Sequence, residues 1–189
     1  MDNGLHCASS GVQDPNYVAI GNADLIDRRS RRPVPIAPGG VLSDYVPFYF
    51  TPFTPMMYNI HTGRAGVTRR SNSEICILVS SLPRVKEHRL QFVFTDRHAY
   101  PIAARYFHDL DDLAEIDWPH LQARDFKYDP ENPKKMEFYQ AEALIYRYLP
   151  ITALLGLVCY NDHTKQHLNQ YAETRNLSLD VRALPGWYF

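Results

Sequence analysis

No Gly-x-Gly-x-x-Gly occurs anywhere in the 189-residue chain, so a Rossmann-type dinucleotide cradle is not supported and any nucleotide needs another seat. Cysteine is scarce: Cys7, Cys76 and Cys159 are odd in number and widely spaced, which argues against a disulfide framework and a CxxC metal site. Cys76 and Cys159 sit in apolar runs and read as small buried thiols, which fits a reducing cytoplasm. No metal site is expected. Long hydrophobic runs are missing too. The longest strongly apolar stretch, Ile151 to Tyr160, is interrupted by Thr152 and Gly156 and falls short of the roughly 20 residues a bilayer span requires. The N-terminus lacks a basic segment followed by an apolar one, so neither a secretory signal nor a membrane partner is expected. Nor is one sign of charge in excess: the formal net is −1, and any polyanion site must be local.

With 45% hydrophobic residues, the chain can bury one continuous core, and a single domain over residues 1–189 is expected. The first 40 residues are rich in Pro, Gly, Asn and Asp and end in Pro33-Val34-Pro35-Ile36-Ala37-Pro38-Gly39-Gly40, which reads as ordered loop or disorder. An aromatic and methionine cluster follows at Tyr45, Phe48, Tyr49, Phe50, Met56 and Tyr58. Strands are expected at Glu74 to Val79 and Gln91 to Thr95, both in a central sheet. Three- and four-residue spacing predicts one helix, or two with a break near Asp109, between Pro101 and Trp118. A polar loop over Gln122 to Lys135 leads into strand-like runs at Ala143 to Leu149 and Leu154 to Tyr160. A surface helix at Asp162 to Arg175 and a half-exposed strand at Leu179 to Ala183 complete the chain. Such irregular alternation predicts an α+β arrangement.

Several residues could carry chemistry, and each admits a plainer reading. Glu142 opens an apolar run directly after a polar loop. It is either an exposed edge-strand charge that restrains aggregation or a rigidly held carboxylate able to stabilise an oxocarbenium-like sugar centre and orient a ribose hydroxyl. The run Arg28-Arg29-Ser30-Arg31-Arg32 is a solvated surface or a site for phosphates of NAD or of a nucleic-acid backbone. His98 lies just past a strand end, as a functional or a hydrogen-bonded structural histidine. The aromatic and methionine cluster either packs the core or stacks a nicotinamide or a base.

In order along the chain come Pro38-Gly39-Gly40-Val41-Leu42-Ser43-Asp44-Tyr45-Val46-Pro47-Phe48-Tyr49-Phe50, Pro55-Met56-Met57-Tyr58, Phe92-Val93-Phe94-Thr95-Asp96-Arg97-His98, Asp117-Trp118, Gln140-Ala141-Glu142 and Trp187-Tyr188-Phe189. Taken together, from about Gly4 to Phe189, they resemble the DarT family, the toxin component of DarT–DarG toxin–antitoxin systems. The resemblance implies an ADP-ribosyltransferase-like fold, two packed and mainly antiparallel sheets with flanking helices and an NAD cleft. It implies transfer of ADP-ribose from NAD, as co-substrate, to a base of single-stranded DNA: thymine, with guanine as the alternative. It also implies a DarG-like macrodomain antitoxin as partner.

Carried over by motif, Glu142, Arg29 and His98 become the catalytic residues, and Arg29, Gly4, Tyr49 and Met56 the NAD contacts. By the same resemblance Gln122 to Gln140 becomes the substrate-facing loop, with Lys134, Lys135 and the arginine run at 28–32 expected to supply local phosphate contacts and Tyr45 a further DNA contact. Arginine is a surprising base, its pKa normally exceeding about 12, so Arg29 is read chiefly as an electrostatic group favouring an anionic base nitrogen and the pyrophosphate. Glu142→Ala is expected to abolish product while leaving the fold intact. Two departures from the family are expected to matter. A His-x-Thr segment and a short helix precede the matched region in the family, whereas this sequence starts at Met1, with Gly4 resembling that helix's terminal glycine, so a short N-terminal part of the NAD pocket is expected to be lacking. Phe53 also stands where the family leads one to expect a polar or basic residue. The competing readings are a degenerate, non-catalytic DNA-binding remnant of the same fold, and ADP-ribosylation of protein or RNA.

Overall fold

A computed structural model describes residues 4–12, 14–127 and 129–189. Its centre is a four-stranded antiparallel sheet in the order β2 (Tyr45–Tyr49), β6 (Glu142–Tyr146), β4 (Phe92–Thr95) and β5 (Tyr106–Phe107). β6 is an interior strand buried on both faces, which is why its sequence runs apolar without alternation. Ala143 and Ile145 pack on one side with Val46, Phe92 and Phe94, while Leu144 packs on the other with Val34, Leu42, Tyr45, Val93 and Ala99.

A second, three-stranded sheet has the order β3 (Ile77–Val79), β8 (Gly156–Cys159) and β9 (Asp180–Ala183). β3 pairs with β8 antiparallel, and β8 with β9 parallel. The parallel pair needs a crossover, supplied by α6 (Asp162–Thr174). Its N-cap Asn161 accepts a hydrogen bond from the Thr164 amide, and Leu168 and Ala172 bury its apolar stripe. Gly156 is required where β8 approaches β9: a Cβ there would overlap the Asp180 carbonyl oxygen. A small pair, β1 (Leu5–His6) with β7 (Tyr148–Leu149), flanks the main sheet.

The expected sheets and α+β architecture are present, with four corrections. The two early strands do not share a central sheet: β4 lies in the four-stranded sheet and β3 at the edge of the other, a choice of partner that strand pattern does not encode. The strand expected from Glu74 starts only at Ile77, because Glu74 is drawn into a capping box with Ser71. No long helix spans Pro101 to Trp118. Instead β5 pairs with β4, a 3₁₀ turn covers Leu110–Glu115, and α4 (Trp118–Ala123) follows. Asp109 and Asp117 each cap a new start, accepting from the Asp111 and His120 amides. The polar loop before β6 ends in a helical turn, α5 (Lys135–Phe138), not directly in a strand.

The N-terminal forty residues are largely loop but carry α1 (Ala23–Ser30), followed later by α2 (Pro55–Thr62) and α3 (Leu82–Glu87). α1 places no apolar residue in the core and so has no core-facing stripe to read; it is held by its N-cap Asn22 and by Asp24 and Arg28 placed with the helix dipole.

Candidate active site

Glu142 is the first residue of an interior strand and only 1% exposed, which corrects the sheet-edge reading. Buried carboxylates need partners, and this one has three donors. Arg29 at the end of α1 forms a two-point ion pair with it, Nη1 to Oε1 at 2.8 Å and Nη2 to Oε2 at 2.6 Å. The Ala99 amide donates to Oε1 at 3.1 Å. With three of about four acceptor positions taken, one remains for a substrate hydroxyl.

His98 completes the cluster, its Nε2 lying 3.4 Å from Arg29 Nη1 and 3.9 Å from Glu142 Oε1. A guanidinium only donates, so Nε2 accepts and the proton of the neutral ring sits on Nδ1. Burial pushes the His98 pKa down, aided by the Arg29 charge and opposed by Glu142. For Arg29, burial disfavours the charge, but the charge and hydrogen bonds of Glu142 outweigh it and hold the guanidinium above its ordinary value.

The loop bearing His98 and Ala99 is itself fixed. Asp96, 3% exposed, accepts from Nε and Nη2 of Arg97 and from the amide and Nε of Arg105. Those hydrogen bonds overcome the cost of its burial and hold its pKa below the usual value. Tyr106 Oη donates to the Ala99 carbonyl at 2.6 Å, and the His98 amide to the Glu137 carbonyl at 2.9 Å. Thr95 Oγ1 accepts from the Glu142 amide at 3.3 Å and donates to the Arg97 carbonyl at 2.7 Å. Thr95 and Asp96 stand within the Thr-Asp-x-His motif; the Ala99 amide has no side-chain signal by which a sequence could announce it.

A cavity of about 1050 Å³ faces Ala143 and Ile145 and so lies on the other side of β6 from Glu142. Its walls come from β2, β3, α2 and residues near Gly4. The predicted NAD contacts Gly4, Tyr49 and Met56 all line it, whereas Arg29 does not. Tyr49 links the two regions: it is the register partner of Glu142 and its Oη donates to Met56 Sδ at 3.9 Å. Burial, with the Glu142 charge behind it and Arg29 opposing, raises the Tyr49 pKa, so the phenol stays protonated. Gly4 has φ +79°, and a Cβ there would fall 2.6 Å from the Leu149 carbonyl oxygen. The helix end expected just before it falls on residues 1–3, which lie outside the described residues.

Two expected DNA contacts are corrected. Tyr45 is buried, donates to the Gly39 carbonyl, and has a pKa raised to about 12 chiefly by that burial. Lys135 is also buried and paired with Asp125 at 3.1 Å. Lys134 is exposed. Phe53 is buried, with the exposed Arg124 guanidinium 3.8 Å from its ring centroid, so a positive charge stands over that position after all. Among the described residues no group of three or more His, Cys, Asp or Glu could hold a metal ion.

The family model described as ssDNA thymidine ADP-ribosyltransferase, DarT, matches residues 1–189. The chain is 53% identical over 189 residues to a DNA ADP-ribosyl transferase of Escherichia coli O127:H6, covering 100% of this chain and 87% of the relative. It is 38% identical over 179 residues to one of Thermus sp. strain 2.9, covering 93% and 83%. Thermus sp. 2.9 DarT in complex with ADP-ribosylated ssDNA superposes with a TM-score of 0.89 at 34% identity, covering 98% of this chain and 87% of that one. The complex of the same protein with NAD⁺ gives 0.83 at 33% identity over the same shares.

Proposed function

Because this chain belongs to the DarT family of single-stranded DNA thymidine ADP-ribosyltransferases, we propose a division of labour among its own residues. The protein is an NAD-dependent DNA ADP-ribosyltransferase with the α+β fold of that family, and NAD is its co-substrate. In our reading residues 1–189 act as one catalytic domain, and NAD occupies the cleft bounded by Gly4, Tyr49 and Met56, its nicotinamide ribose passing Tyr49 to reach Glu142 at the head of β6.

Glu142 directs its remaining acceptor position at a ribose hydroxyl and its charge at the sugar carbon. As the bond from C1′ to the nicotinamide nitrogen breaks, its electron pair leaves with nicotinamide, and the carboxylate stabilises the cationic sugar. Thymine loses the proton on N3, and the freed pair forms the new bond to C1′. Arg29, kept charged by Glu142, stabilises the anionic nitrogen without itself giving up a proton. His98, neutral and within reach of Arg29, orients the guanidinium through Nε2 and, on giving up that contact, accepts the proton there. That the family acts on thymidine supports thymine over guanine.

The observation that carries this reading is the convergence of Arg29, Glu142 and His98 at the head of β6. The test is incubation of the full chain with NAD⁺ and thymine-containing single strands, followed by mass spectrometry; the expected product is the strand plus one ADP-ribose, and no gain on any base would refute it. Single-stranded DNA suits the chemistry, since a duplex base must first be unpaired and unstacked at a cost of a few kcal/mol. We further propose a DarG-like macrodomain antitoxin as partner and the cytoplasm as the place of action. Among the described residues no helix is long and apolar enough to cross a membrane. Toxicity on expression that co-expressed macrodomain relieves would support both; toxicity that it leaves untouched would count against the partner.

A further inference from the structure

A second pocket, about 540 Å³, opens beside Arg29 and is lined by Arg28, Arg31, Arg32, Tyr100, Pro101 and Ile102. It gathers positive charge in a chain whose net is −1. Among the described residues Arg32 Nε, buried there, has no hydrogen-bond partner, while its Nη2 donates to the Pro101 carbonyl at 3.4 Å, so one donor is left unmet, of the kind folded proteins rarely keep. Arg28 is exposed, its guanidinium 5.6 Å from the Tyr100 ring centroid. Arg31 is held by an ion pair with Asp27 that is open to solvent and readily exchanged. Ile102 is 89% exposed, beside an aromatic ring and three guanidiniums. The pocket adjoins the catalytic cluster: the Tyr100 and His98 rings are 6.5 Å apart, and Arg28 precedes Arg29 on α1. The NAD cleft, by contrast, has no lysine or arginine in its described lining.

Guanidiniums beside an aromatic face and an apolar side chain are what an unpaired nucleotide strand needs, phosphates on the first and a base stacked on the second. Resting on the activity proposed above, we propose that this pocket grips the backbone of single-stranded DNA next to the target base, with Arg28, Arg31 and Arg32 on phosphate and Tyr100 with Ile102 under the neighbouring base. The two substrates then reach the Glu142 cluster from opposite faces of β6.

The test is anisotropy of a labelled thymine-containing single strand bound to the full chain across a salt series, without NAD⁺. Arg28→Gln and Arg31→Gln are each expected to weaken binding several-fold and to reduce the slope of log K against log salt by about 0.7. Arg31→Lys, which keeps the charge, restores the slope. Tyr100→Ala is expected to weaken binding about 5-fold or more with the slope unchanged. NAD⁺ titration by calorimetry should give the same Kd for all of them, and thermal unfolding checks that each is folded. Unchanged DNA affinity and slope in folded variants would overturn the proposal. So would a rise in the NAD⁺ Kd, which would hand the pocket to the pyrophosphate. Wild-type product on the same strand, read by mass, separates the two failures: product with unaffected variants sinks the pocket alone, and no wild-type product sinks the activity.

Discussion

Arg29 and Glu142, 113 residues apart in the chain, meet in a two-point ion pair that takes up both carboxylate oxygens. Each is the other's main compensation for being out of water: Glu142 is enclosed and Arg29 nearly so. Structure and chemistry therefore draw on the same pair.

Removing Glu142 leaves Arg29 as an uncompensated buried charge. Glu142→Ala is expected to cost about 3–5 kcal/mol of stability as well as activity, contrary to the expectation that the fold would be indifferent. Glu142→Gln keeps the shape and part of the hydrogen bonding, so it is expected to lose less stability while ADP-ribose transfer falls at least about 100-fold. Denaturant midpoints set against product yield will separate the two effects.

The buried His98 gives stability a pH dependence. Its folded pKa is lowered, so below the unfolded value of about 6.5 the unfolded chain takes up a proton that the native state resists. Stability is therefore expected to fall as pH drops from about 6.5 towards the folded pKa, and to carry no such loss above it. His98→Gln should flatten the melting temperature between pH 5 and 7; an unchanged slope would show that His98 does not titrate against folding.

Tyr106→Phe deletes the hydroxyl that holds the Ala99 carbonyl and so loosens the peptide whose amide meets Glu142. One neutral hydrogen bond is worth about 1 kcal/mol, so a fall of about fivefold in kcat is expected with both KM values nearly unchanged. A rise in either KM with kcat preserved would point to substrate contact instead.

Gly156→Ala pushes a methyl group into the Asp180 carbonyl and pries β8 from β9. A loss of about 2 kcal/mol is expected, read as a lower urea midpoint at constant m-value. The Arg29–Glu142 site lies in the other sheet, so specific activity per folded molecule should hold.

Much of this was readable from residue order. β4, β6, β8, β9 and α6 sit where β-branched and apolar runs, a cap and a stripe placed them, and Glu142, Arg29 and His98 do converge. What pattern could not supply was partnership. Nothing in Glu142's neighbours distinguishes an edge strand from an interior one; that depends on β2 and β4 arriving from nearly 100 and 50 residues earlier. Lys135 and Tyr45 looked like surface contacts because basic and phenolic residues usually keep water, and each instead found an interior partner, Asp125 or the Gly39 carbonyl. α1 was invisible to periodicity since it places no apolar residue in the core, although Asn22, Asp24 and Arg28 spell its ends.

The long sequence gap between Arg29 and Glu142 also orders events during synthesis. Arg29 leaves the ribosome early and waits, its partner still untranslated, until three-quarters of the 189 residues have been joined. A nascent chain stalled in that interval has the arginine, and past residue 98 the histidine as well, but not Glu142. For an enzyme that ADP-ribosylates DNA, the late arrival of Glu142 means that unfinished copies lack the carboxylate on which the proposed chemistry rests.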